Sequence, residues 1–306
     1  MTEYLNLFLS SYTFKVVTIG CALLAMISAI IGNFAVLKRE SLLGDGVAHA
    51  SLAGVCMAFL LTGKKEMYIL LLGALIVGLI CVSLIHYIQL YSKIKFDSAI
   101  ALILSSFFGL GLVLLTYLKK IPGAKKAGLN RFIFGQASTL VVKDIYFILT
   151  IGFILLFIVI LFWKEIKISI FDKEYAKTLG IDSDKIRFLV SILIVMNIIL
   201  GIQIAGVILI TAMIVAPAVA ARQWSNSLLI VVILSGIFGF LSGAFGAIIS
   251  TLDTSLPTGP LIVMNSSFFV IFSLIFSNKE GIVVKLYKNY KRNKEIREKN
   301  YGGDLK

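Results

Sequence analysis

The chain has 306 residues, 59% of them hydrophobic and only 15% charged, with a mean hydropathy of +0.98; soluble domains sit nearer half apolar. Uncharged runs of about 20 residues recur along it, the length that crosses a bilayer as a helix, and they do not alternate as barrel strands must, so a soluble fold and a β-barrel are both excluded. The net charge of +13 comes with no recognisable nucleic-acid module, which removes nucleic acid as a partner and leaves the positive-inside bias of membrane proteins to account for it.

The fold class expected is therefore an all-α polytopic membrane protein. Nine spans are predicted, over residues 14–37, 43–62, 67–90, 98–118, 144–163, 187–202, 204–221, 228–250 and 261–277. The pair 187–202 and 204–221 is short, so eight spans also fit. A membrane domain over 1–277 then precedes a basic tail over 278–306. No small-residue cleavage pattern follows the first run, which reads as a span rather than a signal peptide. Cys21, Cys56 and Cys81 lie inside apolar runs without C-x-x-C spacing and read as small core residues.

The second run, 41-SLLGDGVAHASLAGVCMAFLL-61, carries Asp45 and, four residues later, His49, one of only two histidines in the chain. That spacing puts both on one helix face. An ionisable group at membrane depth costs on the order of 3 kcal/mol, which makes it a functional hypothesis by default. One carboxylate and one imidazole are half of a site for a divalent transition metal; two such helices across a two-fold axis would supply four ligands. The alternative is a capping Asp45 with His49 as a polar packing residue, since D-x-x-x-H alone is far less specific than H-E-x-x-H. Gly44 and Gly46 allow either a close backbone approach or an unwound helix start. His86, near the end of the third run, reads as an interfacial histidine.

Further along, the 119–143 connection contains 128-GLNRFIFGQASTL-140, which suggests a short surface helix. The 164–187 connection is charged and amphipathic. In it Tyr175 and Leu179 share a face, Gly180 suits a helix C-terminus and Asp182 can cap the next helix; the form is that of a docking element. Pro217, late in the seventh run, invites a kink. The stretch 253-DTSLPTGPLIV-263 reads as a rigid turn that places Pro260 in a first helical turn. The tail after 277 reads as a solvated basic helix near anionic lipid headgroups. Placing the C-terminus inside puts about two thirds of the 29 Lys and Arg on the cytoplasmic side, as the positive-inside rule requires. Nine spans then set the N-terminus outside. No Walker A loop, H-E-x-x-H or nucleophile elbow occurs, so the chain is expected to be no enzyme.

Several stretches together resemble the permease subunits of the manganese/zinc/iron family of ABC importers. They are 36-VLKRESLLGDGVAHASLAGV-55, with its G-D-x-x-x-H-A signature, 97-DSAIALILSSFFGLGLVLL-115, 128-GLNRFIFGQASTL-140, 171-FDKEYAKTLGI-181, 206-GVILITAMIVAPAVAARQW-224 and 253-DTSLPTGPLIV-263. The resemblance covers residues 14–277. It implies a type II-like ABC importer permease in a bacterial plasma membrane, with no permanently bound cofactor and with manganese as the first-ranked cargo, ahead of zinc and iron. Asp45 and His49 would fall on the metal path, with Gly44, Gly46 and Pro217 as kink or gating positions. Phe171, Asp172, Glu174, Tyr175, Ala176, Leu179 and Gly180 would contact the ATPase. The implied partners are two cytoplasmic ATPase subunits, an extracellular solute-binding lipoprotein and a second permease copy or paralogue. One departure is Ala53-Gly54 where many members carry Pro-Gly; it leaves Asp45 and His49 in place.

Three other functions are weighed against this. A permease for a metal chelate, siderophore or corrinoid, would need a wide apolar path without ionisable ligands. A secondary ion-coupled carrier should show several intramembrane carboxylates. A scaffold or receptor would be indifferent to removal of Asp45 and His49.

Overall fold

The computed structural model describes residues 12–64, 66–118, 120, 135, 137, 140–252, 256–277, 281–286, 288 and 290–292. Its elements are helices α1 (Tyr12–Leu37), α2 (Ser41–Thr62), α3 (Met67–Tyr91), α4 (Phe96–Leu118), α5 (Val142–Leu161), α6 (Trp163–Phe171), α7 (Lys173–Thr178), α8 (Ser183–Ala205), α9 (Val207–Arg222), α10 (Leu228–Leu252) and α11 (Thr258–Phe276). Eight of these are long and apolar enough to cross a bilayer, and α9 is a shorter apolar helix. The chain is a multi-pass helical membrane protein. The surface helix expected over 128–140 lies largely outside the described residues, and the tail is described only in part.

One end of the bundle can be fixed from side-chain contacts. A polar cavity of about 390 Å³ is bounded by Leu37, Phe171, Arg222, Asn226 and Leu228. It brings together the last turns of α1, α6 and α9 with the first of α10. Ser169 Oγ donates to the Ser183 carbonyl at 3.4 Å, Trp224 Nε1 donates to Ser273 Oγ at 3.0 Å, and His86 lies 5.3 Å from the Phe188 ring. The starts of α2, α4 and α8 meet there too, at Glu40, Phe96 and Arg187. Successive apolar helices thus run in alternating directions, including α8 and α9, which only Gly206 separates.

That reversal has a local cause. Gly206 adopts φ 78°, ψ 168°, a backbone state open in practice only to glycine. The neighbouring turns then close tightly, with a Cβ on Gly201 reaching within 1.9 Å of Ile210 Cδ1. The chain breaks at Gly206 and not at Pro217, which is buried within a continuous α9. Neighbouring helices commonly absorb a membrane proline in this way.

Close approach of small residues sets the packing, because lipid offers no hydrophobic drive for helices to associate. Along α10, a Cβ at Gly239 would stand 2.5 Å from the Ala25 carbonyl oxygen and one at Gly243 2.5 Å from that of Cys21, so α10 lies flush on α1. The same holds for Gly54 of α2 against Gly73 of α3, at 2.3 Å from its carbonyl oxygen. Inside the bundle Asn33 Nδ2 donates to Ser235 Oγ, and Ser28 Oγ donates to Asn197 Oδ1 at 3.2 Å. These bonds give partners to Asn33 Nδ2 and Asn197 Oδ1, which would otherwise be costly at that depth.

Candidate functional site

α2 is the most enclosed of the eight long helices, with 78% of its apolar window buried. Its first turns nevertheless leave one stripe open. Leu42 is exposed, the Asp45 side chain keeps 41% of its surface and that of His49 24%. The spacing of these three residues is that of a single helix face. Asp45 Oδ1 stands 3.3 Å from His49 Nε2. The His49 ring meets Phe108 of α4 edge-on, at 5.0 Å between centroids and 72°.

The flanking glycines are helical, not unwound. Gly46 lets Ile100 of α4 approach to 2.7 Å from where a Cβ would stand, and Gly44 faces Thr211 of α9 at 3.6 Å. α4 and α9 therefore grip α2 on either side, while the Asp45–His49 face stays open. Chemically this is one oxygen and one nitrogen ligand of borderline hardness, suited to a divalent transition metal. Among the described residues no group of three or more His, Cys, Asp or Glu gathers, and the pair stands there without a third ligand. The three cysteines are free and buried.

The second set of residues forms α7 and its flanks. Asp172 caps α7, its Oδ1 accepting from the Tyr175 amide at 2.9 Å. Gly180 takes φ 75°, and the Ile181 amide closes the helix onto the Ala176 carbonyl at 2.9 Å. Ala176 is fully buried, while Phe171, Tyr175 and Leu179 are all more than half exposed and Glu174 lies in the first turn. Asp182 then caps α8, accepting from the amides of Asp184 and Lys185 at 3.1 and 3.2 Å. These bonds, the Lys185 amide first, hold its carboxyl below the usual range. α7 is a short helix fixed at its inner side, presenting apolar side chains outward.

Sequence reasoning passed over one feature at the same end. Glu40, directly before α2, is 2% exposed, and its Oε1 accepts from Arg187 Nε at 2.5 Å. The Arg187 guanidinium lies 4.5 Å above the Phe96 ring. Lys38 sits nearby, and burial pushes its ammonium down to about 8. The available signal was an acid inside the basic stretch 38-KRES-41; its partner, 147 residues away, could not be read from spacing.

The chain is 41% identical over 279 residues to the zinc transport system membrane protein TroC of Treponema pallidum, covering 91% of this chain and 94% of that protein. It is 42% identical over 266 residues to the manganese transport system membrane protein MntC of Bacillus subtilis, covering 87% of this chain and 61% of that protein. Its fold superposes on PsaBC of Streptococcus pneumoniae, solved in complex with Fab, with a TM-score of 0.79 at 28% identity, covering 91% and 97% of the two chains. The pattern of the ABC 3 transport family matches residues 10–277, spanning every long apolar helix and both sets of residues described above, and the chain belongs to that family.

Proposed function

We propose that this chain is the membrane-spanning subunit of an ATP-driven importer for a divalent transition-metal ion, manganese or zinc, in a bacterial plasma membrane. The observation that carries this reading is the Asp45–His49 pair, an open oxygen–nitrogen ligand set on an otherwise buried helix. The names of the relatives, zinc for one and manganese for another, agree with a ligand set that accepts both ions.

The end that gathers Arg187, Arg222 and α7 faces the cytoplasm on this reading, following the positive-inside rule. There α7 docks one of two ATPase subunits through Phe171, Tyr175 and Leu179, and ATP is hydrolysed in those partner chains. A binding protein delivers the ion at the opposite face. Two copies of the chain, related by a two-fold axis, bring two Asp45–His49 pairs to one path.

The test is uptake of radioactive manganese and zinc by proteoliposomes holding the chain, its cognate ATPase and its binding protein. Uptake of at least one ion that requires ATP is the expected result. Uptake driven by an ion gradient without ATP would overturn the reading, as would ATP-driven uptake of a siderophore or corrinoid complex with neither free ion carried.

A further inference from the structure

A single guanidinium joins the starts of three helices. Arg187 lies one turn into α8. Its Nε donates to Glu40, the residue directly before α2, and its plane covers Phe96, the first residue of α4. α2 carries Asp45 and His49; α4 carries Phe108, which packs on His49. α8 is linked to α7 by four residues only, 179–182, and both ends of that link are pinned. Gly180 and Ile181 close onto α7, and Asp182 caps α8.

Glu40 is placed for this contact at a local cost. Arg39 takes φ 59°, a state disfavoured for a side-chain-bearing residue. Glu40 stands at the N-cap of α2 yet makes no side-chain cap bond there. Its carboxylate turns instead to Arg187, and its second oxygen has no hydrogen-bond partner among the described residues. A buried ion pair with an unsatisfied lone pair is poor as a stabilising device. Its better-attested use is to fix one arrangement among alternatives.

We infer that Arg187, through Glu40 and Phe96, is the positioning residue that transmits movement of α7 to the two helices that hold the Asp45–His49 site. This rests on the proposed function for the assignment of α7 as the ATPase-docking element, and not on which ion is carried. Displacement of α7 moves the first turn of α8; the guanidinium then carries α2 and α4 with it, because both are held by the same planar group. Lysine cannot substitute, having a point charge in place of a fork and no plane to lay on Phe96.

The experiment uses the full chain assembled with its cognate ATPase in nanodiscs, comparing wild type, Arg187→Lys, Glu40→Gln and the exchanged pair Glu40→Arg/Arg187→Glu. Backbone hydrogen exchange is read with and without vanadate-trapped nucleotide. In wild type, trapping changes protection at 173–187 and at 41–49 and 96–100 together. In Arg187→Lys and Glu40→Gln the change persists at 173–187 and falls at least fivefold at 41–49, with the assembly intact, while the exchanged pair recovers part of it. Equal transmission in the single variants overturns the inference, as does a wild type in which 41–49 never responds. Variants that lose assembly and both responses in proportion also overturn it, since Arg187 would then be structural. Uptake by the same proteins in proteoliposomes with the binding protein reports separately on the cargo: wild type that transmits but carries neither manganese nor zinc defeats the metal reading and leaves the linkage standing.

Discussion

Replacing Asp45 by Asn separates a ligand from a structural residue, because the two roles predict opposite sizes of effect. Asn is nearly isosteric and keeps the helix. What is lost is one contact of 3.3 Å between side chains that retain 41% and 24% of their surface. Partly exposed i, i+4 pairs contribute about 0.3–1 kcal/mol. For a chain of this size that corresponds to a melting-temperature shift of roughly 2–4 °C at most. As a ligand, Asp45 is half of what one chain offers, and loss of even an outer partner of a metal site costs about 10–100-fold. The expected result is uptake reduced at least tenfold in a protein that melts within a few degrees of wild type. His49→Gln should behave alike, with a slightly larger stability loss, because the edge-on contact with Phe108 at 5.0 Å contributes about 0.5–1.5 kcal/mol. Uptake within twofold of wild type, or a fall in melting temperature above roughly 10 °C for Asp45→Asn, would refute the ligand assignment and leave the pair as packing.

Gly243→Val should damage the fold: its Cβ would meet the Cys21 carbonyl oxygen at 2.5 Å, forcing α10 off α1 at a cost of about 1–3 kcal/mol or more, read as lower yield and melting temperature in detergent. Lys38 gives a pH signature. Its pKa falls from 10.5 to about 8 by burial, with Arg187 and Lys173 lowering it further and Glu40 and Asp184 raising it. Between those values the unfolded chain binds the extra proton, so this residue makes stability rise as pH goes from 8 to 10.5, by at most ~3 kcal/mol; a melting series should show that rise in wild type and lose it in Lys38→Met. Asp172→Ala removes the α7 cap held at 2.9 Å, at about 1 kcal/mol, and should weaken co-purification of the ATPase more than it lowers the permease's own melting temperature. Gly180→Val, at φ 75°, should do the same through backbone strain of about 1–3 kcal/mol.

Features that depend on a short stretch of chain were legible in the sequence. Long apolar runs announce spans. Asp45 and His49 announce a shared face through their spacing, and the caps at Gly180 and Asp182 follow from chemistry within four residues. Features that depend on a distant partner were not. Glu40 looks like one more loop acid until Arg187 is folded beside it, with Phe96 beneath the guanidinium. The break between α8 and α9 was expected from the runs that end at 202 and begin at 204; that it falls at Gly206, through a φ of 78°, is seen only in the structure. Pro217 carries the louder local signal for a break, yet α9 runs on through it, because surrounding helices can accommodate what an isolated helix would not. The close approach at Gly239 and Gly243 likewise shows only once α1 is packed against them.

The modest ligand count also fits passage better than storage. A closed site built from three or four protein ligands holds its ion tightly, as structural zinc centres do, and an ion so held leaves slowly. One chain here supplies an Asp–His pair on an open face, with no third His, Cys, Asp or Glu gathered beside it among the described residues. Such a pair holds an ion firmly only while a facing surface completes the set. If that surface is a second copy of the chain, moving the two α2 helices apart by a fraction of a ligand bond length dismantles the site without breaking either helix. Arg187, which grips the starts of α2 and α4 together, lies at the end from which such a movement would be driven. Affinity and access would then change in the same step, so that the ion is released as the path opens to the cytoplasm.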